Sequence, residues 1–239
     1  MTYITRMPGN VRTALTNRLS QVWLFQGLRS EELERITQLA CIRVYQARKI
    51  VVAKGDRASE LFVLLRGRAI VTTRGSEGTE AALNVMGPGE VFGEVALLDG
   101  QPRSASVTTL ERCEMAVIDK RSFHALLAVS PSIAANLLAV LATRMRELTN
   151  RMEDRTFLDV SARLAKQLLW LAAHHGIQCG NRVRIQIKLS QQELGDLIGA
   201  TRESVNKQLR AWTRNGVVNQ DRGCIEIADL ESLHAACGV

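Results

Sequence analysis

The chain contains no uncharged apolar run of about eighteen residues or more, the length a membrane-spanning helix needs. Its longest greasy stretches, Ile133 to Ala142 and Leu168 to Ala173, are too short to cross a bilayer. The segment from Met1 to Asn17 is polar and lacks an apolar core followed by a small-residue cleavage site, so no secretory signal is expected and a cytoplasmic address follows. Paired cysteine motifs are also missing. Cys41, Cys113, Cys179, Cys224 and Cys237 are odd in number, widely spaced and form no CxxC. That pattern argues against a disulfide framework, a zinc site and an iron–sulfur cluster and reads as reduced thiols. The C-terminal third shows no P-loop lysine motif, no HxExxH-like metal set and no Ser/His/Asp arrangement, so no catalytic residue is assigned. What is present is 239 residues with 46% hydrophobic and 23% charged, enough to bury a full core in one large domain or two ordinary ones. A net charge of +7 favours polyanionic partners, although solvated surface charge alone explains an excess of that size.

Between about Val44 and Asp119, short runs rich in Val, Ile, Leu and Thr (Leu61 to Leu65, Ala69 to Thr73, Glu114 to Ile118) alternate with Gly55, Gly67, Gly75, Gly78, Gly87 and Gly89. This predicts a β-rich barrel or sandwich. Before it, Ser30 can cap a helix with Glu31, Glu32 and Glu34 in its first turn. Leu33, Ile36, Leu39 and Ala40 fall on one face, which should pack on the sheet. After Pro131 the glycines vanish, and Ala134, Leu138, Leu141, Met145, Leu148 and Met152 recur in steps of four and three, as a coiled-coil seam does. Arg144, Arg146, Glu147, Arg151, Glu153 and Asp154 lie off that seam as solvated flanks. Either the helix packs on its own barrel or it pairs in a parallel homodimer; the repeated spacing favours the dimer.

From Phe157 onward, Val160, Leu164, Gln167, Leu168 and Leu171 form another amphipathic stripe that stops near Gly176. A short strand is expected at Val183 to Ile187. Ser190 with Glu193 three residues on is a capping box opening a helix through Leu194, Leu197 and Ile198. Gly199-Ala200 turns the chain, and Thr201 opens a second helix carrying Ser204, Val205, Gln208, Leu209 and Trp212, the helix-turn-helix pattern. Val217 to Ile227, with Asp221-Arg222-Gly223 at its middle, reads as a β-hairpin wing.

The segment from Gly89 to Ala105, GEVFGEVALLDGQPRSA, carries the most chemistry. A helix start beside a glycine exposes backbone N–H groups to an anion, and the Arg103 fork can neutralise that anion through two hydrogen bonds. Glu94 close by would repel a multiply charged phosphate. It suits a singly charged phosphodiester whose sugar offers a hydroxyl donor. A structural Glu94–Arg103 ion pair is the competing account.

The whole segment resembles the phosphate-binding cassette of cyclic-nucleotide-binding domains, and Leu24 to Ile227 resembles a Crp/Fnr-family transcription regulator. The likeness takes in Gly55 and Gly67, the cassette, the long central helix, the Phe157-Leu158-Asp159-Val160 hinge and the winged helix-turn-helix. It implies an α+β fold with an N-terminal β-roll (residues 1–130), a dimerisation helix (131–156) and a DNA-binding winged helix-turn-helix (157–239). It further implies that Glu94 holds the ribose 2′-hydroxyl and Arg103 the cyclic phosphate, with Gly93 and Ser104 adding phosphate contacts. A Thr-Ser pair that touches adenine in cAMP-responsive members corresponds to Leu148 and Thr149. Because Leu148 cannot hydrogen-bond, base selection falls to Thr149. The expected effector is cAMP, with cGMP, a cyclic dinucleotide or a vestigial cassette as alternatives. The oxygen-sensing members' N-terminal cysteine cluster is absent from residues 1–40, and His124, His174, His175 and His234 all lie outside the cassette, so neither metal nor haem is expected.

Arg202, Glu203 and Lys207 can face a major groove while Val205 and Leu209 face the core. The resemblance aligns Arg202 with guanine and Glu203 with cytosine N4 in a pseudo-palindromic TGTGA-like site on double-stranded DNA. Lys207 stands where an arginine is usual and offers a point donor without a fork. Ser190, Gln191, Thr201, Ser204, Asn206 and Gln208 are further candidates for contacts to phosphate or base. Exposed loops would then meet RNA polymerase.

Overall fold

The computed structural model describes residues 2–4, 9–75, 80–221 and 223–237; Gly78 and Arg222, named above as turn residues, lie outside them. The chain divides into two compact units, Met1–Gly78 with Val85–Met145, and Thr79–Asn84 with Arg146–Val239.

The first unit begins with β1 (Thr2–Ile4), α1 (Gly9–Leu19), a single 3-10 turn and α2 (Ser30–Leu39). The cap of α2 is Arg29 rather than the expected Ser30: Ser30 is already helical, and Glu32 reaches back to accept from the Arg29 backbone N–H at 3.0 Å. Leu33 and Ile36 are buried as expected, whereas Leu39 turns partly outward because the helix ends there and the chain continues into a strand. The β-rich region then forms β2 (Cys41–Tyr45), β3 (Ile50–Val52), β4 (Glu60–Arg66), β5 (Ala69–Arg74), β6 (Glu80–Met86), β7 (Val91–Phe92), α3 (Glu94–Leu98), β8 (Ser106–Thr109) and β9 (Cys113–Asp119). Two sheets result, ordered β1-β2-β9-β4-β7 and β3-β8-β5-β6. Gly67 permits the tight β4–β5 turn: its φ is +85°, and a Cβ there would stand 2.5 Å from the Arg112 carbonyl.

One face of the larger sheet packs against helices. Leu61, Val63, Ala116 and Ile118 meet Leu15, Leu19, Leu33 and Ile36, with Phe123 and Leu126 of α4 (Lys120–Val129) completing the cluster. The other face packs Phe62, Leu64, Phe92, Met115 and Val117 against Ala69, Met86 and Val107. Alternation along β4 and β9 is what supplies both faces at once.

Burial beside Glu111 raises the Cys113 thiol to about 11. It should therefore stay protonated and unreactive, while exposed Cys179 labels first. Iodoacetamide footprinting by mass spectrometry is expected to modify Cys179 in the native protein and Cys113 only on denaturation.

Helix α5 (Pro131–Phe157) runs from the first unit into the second. Its first half buries Ile133, Leu137 and Val140 in its own unit, with Leu141 packed at the edge of that core. Of the other members of the 4/3 repeat, Ala134 is half-buried, and Leu138, Met145, Leu148 and Met152 are 61–71% exposed.

The second unit continues through α6 (Val160–His175), β10 (Gly176–Cys179), β11 (Arg182–Ile185), α7 (Gln191–Ile198), α8 (Arg202–Arg214), β12 (Val218–Asp221), β13 (Cys224–Ile227) and α9 (Leu230–Ala236). Its strands form one antiparallel sheet in the order β10-β11-β13-β12. The expected wing is thus the outer half of a four-stranded sheet, and the strand expected at Val183 to Ile187 is β11, shifted to Arg182–Ile185. Among the described residues no single helix is long and apolar enough to cross a membrane.

Candidate functional site

In the cassette, β7 pairs with β4 through Phe62–Phe92 and Val63–Val91, and the two phenyl rings stack at 4.9 Å. The chain then turns at Gly93, which caps α3 with φ +88°. Glycine is required there for conformation and for space, since a Cβ would lie 2.5 Å from an Arg103 guanidinium nitrogen and 3.1 Å from the Glu60 carbonyl. Asp99 accepts from the Gln101 N–H at 2.9 Å, and Gly100 at φ +72° reverses the chain toward Arg103.

Arg103 is only 6% exposed. Its backbone is fixed by its N–H donating to the Asp56 carbonyl and by the Gly55 N–H donating to its own carbonyl, both at 2.9 Å. Its two terminal nitrogens donate to the Gly93 carbonyl at 2.8 Å and the Glu60 carbonyl at 2.7 Å. The guanidinium carbon lies 5.8 Å from the Phe62 ring centre. These partners are neutral. Burial lowers the affinity of the guanidinium for its proton, opposed by the more distant charges of Glu60, Glu94 and Asp56. A buried cation held by two carbonyls keeps most of its charge and three of its five N–H donors for something else.

Glu94 is 1% exposed, and Arg103 is not its ion-pair partner. Arg144 of α5 donates to Glu94 Oε1 and also to the Val91 carbonyl. Glu94 Oε2 is buried and has no hydrogen-bond partner among the described residues. Gly93, Glu94 and Arg103 therefore come together as expected, and Arg144 joins them. Heptad spacing puts Arg144 among the solvated flanks, but it is ion-paired with buried Glu94, and nothing in its local sequence distinguishes it from Arg146. Ser104, next to Arg103, is exposed. Leu148 and Thr149 are exposed on α5, about one turn beyond Arg144, and belong to the second unit. Among the described residues no cluster of three His, Cys, Asp or Glu is placed to hold a metal ion.

In the second unit the two-helix motif is built from its caps. The Glu193 N–H donates to Ser190 Oγ at 3.1 Å, and the Ser190 N–H donates to the Glu193 carboxylate at 2.6 Å. Gly199 ends α7 at φ +66°, and Gly195 sits where a Cβ would come 2.6 Å from the Ala200 carbonyl, so the turn closes onto α7. Thr201 caps α8, its Oγ accepting from the Ser204 N–H at 3.2 Å, with the two hydroxyls 2.9 Å apart. Ser190 and Thr201 thus have structural duties as helix caps. Along α8, Val205, Leu209 and Trp212 are buried, Arg202, Glu203, Lys207 and Arg210 are exposed, and Ser204, Asn206 and Gln208 are half-buried, as is Gln191 at the start of α7. One face of α8 is thus core and the other a row of charged and amide groups. The sequence reading missed β10 and α9; α9 packs against α6, with Leu233 buried.

Residues 42–130 match the cyclic nucleotide-binding domain, and residues 162–236 match the Crp-like helix-turn-helix domain. The chain is 33% identical, over 90% of its length and 96% of the relative's, to the CRP-like cAMP-activated global transcriptional regulator of Mycobacterium tuberculosis. It is 32% identical to the cyclic AMP receptor protein of Thermus thermophilus, over 88% of its length and 94% of the relative's. Among solved structures, the c-di-GMP-responsive global regulator CLP of Xanthomonas campestris matches with TM-score 0.73 and 24% identity, covering 83% of this chain and 99% of that one.

Proposed function

Because the chain belongs to the Crp/Fnr family of transcription regulators, we propose that it is a cytoplasmic, homodimeric regulator whose DNA affinity is raised by a cyclic nucleotide, cAMP above others, and that it has no catalytic activity. The observation that carries this reading is Arg103: a buried cation whose hydrogen-bond partners among the described residues are two carbonyls, beside a buried carboxylate oxygen with no donor among them. A cyclic phosphodiester answers both needs. Its single negative charge pairs with the Arg103 fork, and its ribose 2′-hydroxyl donates to Glu94 Oε2. Arg144, by holding Oε1, fixes which carboxylate oxygen faces the sugar. Gly93 and Ser104 supply further phosphate contacts, and Thr149 the hydrogen bond that selects adenine. The relative from Mycobacterium tuberculosis bears the description cAMP-activated, which favours cAMP over cGMP.

In this reading residues 1–130 form the effector domain, 131–156 the dimerisation helix and 157–239 the DNA-binding domain. Arg202 reads guanine O6 and N7, Glu203 accepts from cytosine N4, and Ser190, Gln191, Thr201, Ser204 and Asn206 contact phosphates or neighbouring bases of a TGTGA-like half-site. RNA polymerase is the further partner. Nucleotide binding shifts a population in which both reading helices stand at half-site spacing.

Calorimetric titration with cAMP and, separately, cGMP tests the effector. Saturable binding that favours cAMP is expected; equal affinities would assign relaxed base selection to Leu148, and no binding to either would replace this reading with a constitutive regulator. Lys207→Arg restores a fork at the third reading position and is expected to sharpen discrimination at that base by about 1 kcal/mol or more. Arg202→Ala is expected to cost about 1–3 kcal/mol and to relax specificity at its guanine. Both follow from binding to a set of singly mutated operator duplexes.

A further inference from the structure

The second unit holds a cavity of about 140 Å³ that the nucleotide reading does not use. The end of α5 contributes Glu147, Arg151, Asp154 and Arg155, α6 contributes Arg163 and Lys166 beside Trp170, and Leu197 and Ile198 of α7 close it. Its cations are unequally matched. Lys166 pairs with Asp154 at 2.6 Å, but no carboxylate lies within ion-pair distance of Arg151, Arg155 or Arg163 among the described residues. Arg151 spends its fork on neutral acceptors, the Leu83 carbonyl and Asn84 Oδ1. The Arg155 guanidinium lies against Gly199, where a Cβ would meet its Nε at 2.7 Å. The Nε of Arg163 is buried with no acceptor among the described residues. Four cations against two carboxylates leave an excess of two positive charges around a small, partly enclosed space.

We propose that this cavity is an anion site for a small phosphate-bearing solute, distinct from the cassette. Three guanidiniums reaching one space from two helices suit a tetrahedral oxyanion with acceptors in several directions, where a carboxylate offers two oxygens in one plane. The volume excludes a whole nucleotide, because pockets for ligands of that size run to about 300 Å³ or more. A bound dianion would offset the mutual repulsion of Arg151 and Arg155 and tie the end of α5 to the turn of the reading head, so occupancy would be felt in DNA binding.

The probe is pyrophosphate, titrated calorimetrically into the full chain at constant ionic strength, using wild type, Arg103→Ala, Arg202→Ala and Arg155→Gln with Arg163→Gln. The expected result is one saturable site per chain, unchanged in Arg103→Ala and Arg202→Ala and weakened at least about tenfold in the double variant. Arg155 is exposed, so Arg155→Gln alone serves if the double variant melts early. Independently, pyrophosphate should protect Lys166 from acetic anhydride in the wild-type protein. No saturable binding, unchanged affinity in the double variant, loss in Arg103→Ala or in Arg202→Ala, or unchanged Lys166 acetylation would overturn the proposal; loss in Arg103→Ala would move the anion to the cassette, and the other outcomes leave cyclic nucleotide binding there untouched.

Discussion

Arg103→Ala is expected to lower cyclic nucleotide affinity by about a hundredfold or more and to abolish nucleotide-stimulated DNA binding, while unstimulated binding stays at the wild-type level. Truncating one member of a buried, charge-assisted contact costs about 2–5 kcal/mol, and each 1.4 kcal/mol is about tenfold in affinity. The cost here stands at the upper end because Arg103 is buried and its hydrogen-bond partners among the described residues are neutral carbonyls. Arg144 cannot replace it, being committed to Glu94 and Val91. Arg103→Lys separates charge from geometry: a lysine keeps the charge but not the fork that reaches both the Gly93 and Glu60 carbonyls, so affinity should fall between the two. Fluorescence anisotropy on an operator duplex, with and without cAMP, measures both quantities. A normal response to cAMP in Arg103→Ala would place the effector elsewhere.

The cassette is legible in the sequence for a physical reason. Its function needs a glycine that tolerates positive φ, a helix start and an arginine within a dozen residues, and local spacing records all three. The reading head is legible likewise, since Ser190, Glu193, Gly199 and Thr201 act on backbone atoms within three residues of themselves. Arg144 is a different case. Its partner Glu94 is fifty positions away, and the pair exists only because α5 returns past the end of β7. No periodicity encodes that return. The strand β10 escaped because Gly176–Cys179 is mostly exposed and lacks a β-branched run, so it is held as a strand by pairing with β11. Helix α5 carries two stripes side by side: Ile133, Leu137 and Val140 serve the chain's own core, while Leu138, Met145, Leu148 and Met152 of the 4/3 repeat are exposed. Packing on its own barrel thus accounts for the first half of that helix, and the proposed pairing is an account of the exposed half.

Met145→Glu combined with Met152→Glu is expected to convert the protein to a monomer and to lower affinity for a palindromic operator by about a hundredfold or more. Both methionines project from the exposed stripe, 67% and 71% exposed, with Leu148 between them. In a two-fold pairing each contributes twice. Burying a side chain of that size is worth about 1.5–3 kcal/mol, so the double substitution removes several kcal/mol of association and places four carboxylates along one seam. Ile133, Leu137 and Val140 are untouched, and the melting of each protomer should change little at low concentration. Light scattering gives the mass; a dimer surviving both substitutions would exclude the seam as the interface. The DNA result follows from geometry. A dimer reads two half-sites about 34–36 Å apart in one binding event, whereas a monomer gains only one set of contacts from Arg202, Glu203 and Lys207. Binding to an isolated half-site should therefore be nearly the same for the variant and the wild type, and the loss should appear only where the second half-site is present.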